Sequence, residues 1–340
     1  MTRRPTVRLA LAASLLGALP GLAAPARAAE TYGPELEGFD YPHAVRRHAF
    51  TSQGQTVSIA YMDVAPSAPA NGRTAVLLHG KNFCAATWEG TIGALTKAGY
   101  RVLALDQVGF CKSTKPQGYQ FSFPQLAANT HGLLQALGLA RATIIGHSMG
   151  GMLAARYALM FPDAVDQLVM VDPLGLEDWQ AKGVPYQTIE KNYEQERKTT
   201  AESIKAYQLR FYYDGQWKPD YDRWVQMQAG LYAGPGAERV AWNQAQTSDM
   251  IFTQPVVHEF ERLRVPTVLI VGGKDRTAPG ANRAPADLAR TLGRYDQLGP
   301  EAARRIPDAK LVEFSDLGHS PQVEAPDRFH EALLKELAGK

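Results

Sequence analysis

ATIIGHSMGGMLAARYA, Ala142 to Ala158, decides how the rest of the chain is read. The β-branched run Thr143-Ile144-Ile145 favours a strand, and the Met, Leu, Ala and Arg residues from Met149 onward favour a helix. Ser148 sits at the junction, two residues after Gly146 and two before Gly150. A tight strand-to-helix turn would expose its Oγ at the carboxyl edge of a sheet, and such a turn leaves no room for bulk at the two flanking positions. Gly-x-Ser-x-Gly alone also fits a structural Gly-Ser bend, so the strand before it and the helix after it carry the reading of Ser148 as a nucleophile.

Working outward, "AVRRHAF" and "QTVSIAYMDV" flank "TSQG" and predict an antiparallel hairpin. Short apolar runs then recur at "TAVLLHG", "YRVLALD", "ATIIG", "DQLVMVD", "PTVLIVG" and "AKLVEFSD", with helical periodicity between most of them. Near-continuous apolar strands separated by helices predict an α/β fold, a mostly parallel sheet covered on both faces. Pro326 in a first helical turn opens the terminal helix. From Leu174 to Phe260 the alternation breaks into helical segments rich in aromatics, among them Trp179, Tyr186, Trp217, Trp224 and Trp242. This stretch, 174–260, reads as an inserted helical cap, and 29–173 with 261–340 as the core. Most cap aromatics are expected to form the cap's own core, and some to line an apolar pocket.

A serine hydroxyl needs a base within hydrogen-bond reach. The chain has eight histidines. His147 adjoins the serine and is expected to point elsewhere, His79 precedes the loop after a strand, and His131 and His330 lie in helical patterns. His43 and His48 precede the sheet core, and His258 closes the cap. His319, in "FSDLGHSPQVEAPDRF", follows the last strand and emerges at the same edge as Ser148. Asp275, just beyond the strand in "PTVLIVGGKDRTAP", would orient the imidazole and stabilise its charged form. Asp172, at the end of "LVMVDP" on the strand next to the nucleophile, is the competing acid. Asp106, in "LALDQVGFCKS", reads as a loop-fixing acceptor.

With these residues in view, the sequence resembles the α/β-hydrolase superfamily over nearly the whole chain after residue 28. The resemblance rests on "LLHGKNF", "DQVGFCKS", "GHSMGG", "GGKDRTAP" and "DLGHSPQ". It implies an eight-stranded sheet with a cap, a Ser148, Asp275, His319 triad, and an oxyanion hole built from the backbone N–H groups of Met149 and Lys81. Ser148 argues against the haloalkane dehalogenase and epoxide hydrolase branches, which place an aspartate at that turn. The "HGKNF" loop and Met149 depart from the proline iminopeptidase pattern. Neither a zinc-protease helix nor a phosphate loop is present. The expected activity is therefore hydrolysis of a carboxylic ester, thioester or lactone of a small apolar molecule through an acyl-enzyme, with no cofactor and no metal. The alternatives are C–C bond hydrolysis or lyase chemistry on the same scaffold, or a binding protein without turnover.

The two cysteines, Cys84 and Cys111, fall in loops that leave neighbouring strands of this fold at one edge, which makes a disulfide the expectation and two free thiols its alternative. Oxidation agrees with the N-terminus. Arg3, Arg4 and Arg8 precede an apolar stretch from Leu9 to Leu22, and Ala26-Arg27-Ala28 has the small-x-small pattern of a signal-peptide cleavage site. Residues 1–28 are expected to be removed and the protein exported, periplasmic or secreted; Thr2-Arg3-Arg4 leaves the Sec and twin-arginine routes open. Removal takes four basic residues and no acidic one, leaving 32 Lys and Arg against 34 Asp and Glu, a balance of −2. That near-neutral balance shows neither the basic face of a nucleic-acid binder nor a polybasic membrane anchor, so the expected partner is a small-molecule substrate.

Overall fold

The computed structural model describes residues 30–338 together with Met1 and Thr2, so the expected signal peptide, beyond its first two residues, lies outside the described residues. Eight strands run in chain order: β1 Val45–Ser52, β2 Gln55–Val64, β3 Thr74–Leu78, β4 Arg101–Asp106, β5 Ala142–His147, β6 Val165–Val171, β7 Thr267–Gly272 and β8 Ala309–Phe314. They form one sheet in the order β1-β2-β4-β3-β5-β6-β7-β8. β2 pairs antiparallel with β1 and β4, and the other pairings are parallel. The expected fold is thus present, hairpin included.

Every residue of β3, β5 and β7 is buried, which is why these strands read as continuous apolar runs. Successive residues still serve opposite faces. Val76 and Leu78 pack with α2 (Phe123–Ala136) and α3 (Met149–Met160), whereas Ala75 and Leu77 pack with α1 (Glu89–Lys97) and the C-terminal helix (Pro326–Ala338). The C-terminal helix buries Phe329, Leu333 and Leu337, spaced four apart on one stripe. The segment before β1 is also part of the core: Leu36 is fully buried and the Tyr32 N–H donates to the Gly230 carbonyl.

Between β6 and β7 the chain folds into α4 (Ile189–Glu196), α5 (Ala201–Phe211), α6 (Asp222–Ala233) and α7 (Ala237–Thr253). Thr200 and Ser203 start α5 with reciprocal side-chain to backbone bonds, which satisfy two otherwise orphaned donors. The aromatics of this connection pack largely on one another. Tyr213 stacks on Tyr221 with ring centroids 3.8 Å apart, and Trp217 meets both rings edge-on. Trp179 stacks near Phe252. After β7 follow the short α8 (Ala286–Ala289), α9 (Tyr295–Arg305), which packs on β7 and β8, the short α10 (Pro321–Glu324) and the C-terminal helix, α11. Among the described residues no helix is long and apolar enough to cross a membrane.

Candidate active site

β5 ends at His147 and α3 begins at Met149, leaving Ser148 alone in the turn with φ 57° and ψ −120°. L-residues rarely take a positive φ, and turn geometry forces it here. The flanking glycines are a packing necessity. A Cβ on Gly146 would lie 2.0 Å from the Gly150 carbonyl oxygen, and one on Gly150 would lie 2.2 Å from that of Leu78. No larger residue fits at either place.

Three strand ends converge on this serine. His319, in the loop after β8, has its Nε2 2.9 Å from Ser148 Oγ and its Nδ1 2.6 Å from Asp275 Oδ2. Asp275 follows β7, and its second oxygen accepts the Thr277 N–H at 2.7 Å. A proton on Nδ1 shared with Asp275 leaves Nε2 as acceptor for the serine hydroxyl, the arrangement in which imidazole acts as a base. His319 and Asp275 are fully buried and Ser148 is 3% exposed.

Asp172, the competing acid, does not reach the histidine. Its Oδ1 accepts the Gly272 N–H at 2.7 Å, which ties the end of β6 to the end of β7. Burial and the neighbouring Asp275 charge push its carboxyl well above the usual range. The sequence placed Asp172 at this edge; the structure brings Asp275 to His319 and ties the Asp172 side chain to β7.

The loop after β3 supplies the other half of the site. His79 is buried and held neutral by burial; its Nδ1 donates to the Gly80 carbonyl at 2.8 Å, and its Nε2 accepts the Gln107 N–H at 3.1 Å. These bonds fix the turn in which Gly80 lies against Ser148: a Cβ on Gly80 would stand 2.9 Å from the serine Cβ. Lys81 follows directly, and its N–H is given to no backbone carbonyl among the described residues. Met149 is the first residue of α3, so its N–H has no acceptor within the helix. Cys84 and Cys111 are joined as a disulfide between this loop and the loop after β4. Asp106 accepts the N–H groups of Ala85 and Lys112 and the Tyr41 hydroxyl, which makes it the loop anchor expected of it.

Two holders of His319 were not legible in the sequence. His147 does point away from the serine, but its Nε2 donates to the His319 carbonyl at 2.7 Å, and burial keeps its pKa well below the usual imidazole value. From the other side, the His319 N–H donates to the Tyr212 carbonyl at 3.0 Å, at the end of α5. Gly318 permits that approach, since a Cβ there would stand 2.2 Å from the Tyr212 oxygen. Glu324 holds the same loop by accepting the Gly318 N–H at 2.8 Å, and burial pushes its carboxyl up to about 7.

Ser148 opens into a cavity of about 370 Å³ between the sheet edge and α4–α7. Its wall carries cap aromatics, as expected: Tyr207, Tyr212 and Phe252 line it beside Leu174, Ile204 and Ile251. Asn82, Gln187, Gln195 and Gln208 line it, together with an ion pair between Lys81 and Glu196 at 2.8 Å. Of the other cap aromatics, Trp179, Tyr213, Trp217 and Tyr221 pack within the cap itself.

Comparison with known proteins identifies the fold family. A family model described as alpha/beta hydrolase fold matches residues 75–326. The chain belongs to the α/β-hydrolase fold family. Its relatives include a 2-hydroxy-6-oxononadienedioate/2-hydroxy-6-oxononatrienedioate hydrolase of Comamonas testosteroni, 25% identical over 78% of this chain and 88% of that one. Among solved structures, a Pseudomonas aeruginosa protein described as a "probable hydrolytic enzyme" is 62% identical, covers 91% of this α/β hydrolase and 99% of its own chain, and superposes with a TM-score of 0.90. An enol-lactonase of Burkholderia xenovorans shares the fold, at 20% identity, a TM-score of 0.61, and 86% and 100% coverage.

Proposed function

We propose that this α/β hydrolase is an exported serine hydrolase that cleaves an ester, thioester or lactone of a small molecule through an acyl-enzyme on Ser148. The observation that carries this reading is the hydrogen-bonded chain from Ser148 through His319 to Asp275, opening into the cavity under α4–α7. In the first step Oγ bonds to the acyl carbon, its proton passes to Nε2 of His319, and the carbonyl electron pair moves onto oxygen. The N–H groups of Met149 and Lys81 receive that oxyanion; one such donor is worth about 3 kcal/mol of barrier. The imidazolium then protonates the departing alkoxide. Water, deprotonated by His319, repeats the sequence on the acyl carbon, and the serine recovers its proton as the carboxylic acid leaves. Export is supported by the N-terminal sequence and fits the Cys84–Cys111 disulfide.

Treatment of the purified protein with a fluorophosphonate, with the adduct mapped by mass spectrometry, tests this reading. Labelling at Ser148 that disappears in Ser148→Ala is the expected result. A folded protein left unlabelled would overturn the assignment of Ser148 as an activated nucleophile. The relation to the Comamonas testosteroni hydrolase favours a second reading, hydrolysis of a C–C bond beside a ketone by the same three residues. Turnover of vinylogous 1,5-diketones faster than of matched esters would select it.

A further inference from the structure

The cavity over Ser148 has two cations on its wall, and they are not equivalent. Lys81 is neutralised by Glu196, whose other oxygen accepts the Tyr232 hydroxyl. Arg283, in the loop between β7 and α8, has no carboxylate partner among the described residues. Its guanidinium is nevertheless held in place. Nε donates to the Pro185 carbonyl at 3.1 Å, and Cζ lies 5.2 Å from the centroid of the Phe252 ring. Gly280, at φ 84°, makes room for it: a Cβ there would stand 2.7 Å from Arg283 Nη2 and 2.9 Å from Val184 Cγ1. Nη1 and Nη2 donate to nothing among the described residues, which leaves a planar two-pronged donor on the cavity wall. Burial lowers the Arg283 pKa, the mark of a cation desolvated without a compensating anion.

We infer that Arg283 is a substrate-recognition residue, and that the natural substrate carries a carboxylate at the end remote from the bond that Ser148 attacks. A guanidinium with one edge free matches a carboxylate in bidentate geometry. One uncompensated positive charge also sets the valence. A single carboxylate leaves the cavity neutral, whereas a phosphate dianion would leave an unpaired negative charge in a partly desolvated site. The inference takes its reaction from the serine hydrolase reading, and its anion from the position of Arg283 alone.

The test uses p-nitrophenyl monoesters of linear dicarboxylic acids, each beside the p-nitrophenyl ester of the monocarboxylic acid of equal length. The intact protein is expected to prefer the charged member of at least one pair in kcat/KM, with KM for the charged ester alone rising as salt is added. Arg283→Gln should lower the charged-to-neutral ratio about tenfold or more through KM, and Arg283→Lys should keep part of it. A merely structural role would lower both esters together and leave the ratio unchanged. That result, or a preference of the intact protein for the neutral esters at every length, overturns the inference. Calorimetric titration of the intact protein with the monoamides of the same diacids, against the neutral diamides, reads the anion site without turnover. Tighter binding of the monoamides supports Arg283 recognition even if Ser148 proves unreactive, and equal binding rejects it even if Ser148 is labelled.

Discussion

Ser148 is held at φ 57°, a conformation glycine adopts at no steric cost, so this serine is a source of strain in its own turn. Ser148→Gly is accordingly expected to be inactive yet more stable than the parent, by about 1 kcal/mol, in a urea unfolding experiment. Glu324 gives a residue-scale prediction with a pH signature. Its carboxyl rises from an ordinary value of 4.5 to about 7 in the fold, chiefly through burial. A carboxyl raised in the folded state keeps its proton while the unfolded chain loses its own, so its contribution is most favourable below pH 4.5 and is lost as pH rises towards 7. Thermal melts of Glu324→Gln should therefore show a Tm advantage over the parent that grows from pH 4.5 to 7 and levels off above it. An advantage that shrinks over that window would contradict the burial account. At this scale the sequence was legible where chain order alone fixes a residue at an edge, as for Ser148, Asp275 and His319. It was silent where the contact is made by backbone, as for the two bonds that His147 and Tyr212 make to His319.

Two of the ties that hold the loop after β3 to other elements can be cut separately. Its disulfide to the loop after β4 closes a separation of 27 residues, for which chain entropy gives about 3.5 kcal/mol at 25 °C. The Cys84→Ala, Cys111→Ala double variant should lose stability of that order in denaturant titration, and label more slowly with fluorophosphonate because the Lys81 amide is less firmly placed. The second tie is the Lys81–Glu196 pair, which joins the loop to α4 with both side chains 16% exposed. Removing Glu196 leaves a part-buried ammonium without its partner, whereas replacing both partners by apolar residues removes the desolvation cost as well. Unfolding measurements should find Glu196→Leu destabilising by about 3 kcal/mol, with the Lys81→Met, Glu196→Leu pair closer to the parent than that single variant. Strands and helices of the core were legible because both faces of the sheet are covered, so that burial writes itself into apolar runs. Segment 30–42 has no such period, since it is held by single anchors such as Leu36 and by the Tyr32 bond to Gly230.

Over the whole molecule, which of the cap aromatics line the cavity was the least legible property. Composition counted the cap aromatics, but only three-dimensional packing decides which of them face inward; the rings of Tyr213, Trp217 and Tyr221 face one another. β6 and β7 are parallel neighbours in the sheet, so the connection that carries α4–α7 leaves at the carboxyl edge and crosses back to the opposite one. Such an insertion looks like a cassette that recombination could trade between relatives to change substrate range. The carbonyl of Tyr212 stands in the way of that view, because it belongs to the cassette and yet grips the main chain of His319. A descendant acquiring a foreign cap would inherit a new pocket and a resettled base in a single event, so selectivity and turnover would be expected to change as one trait in this lineage.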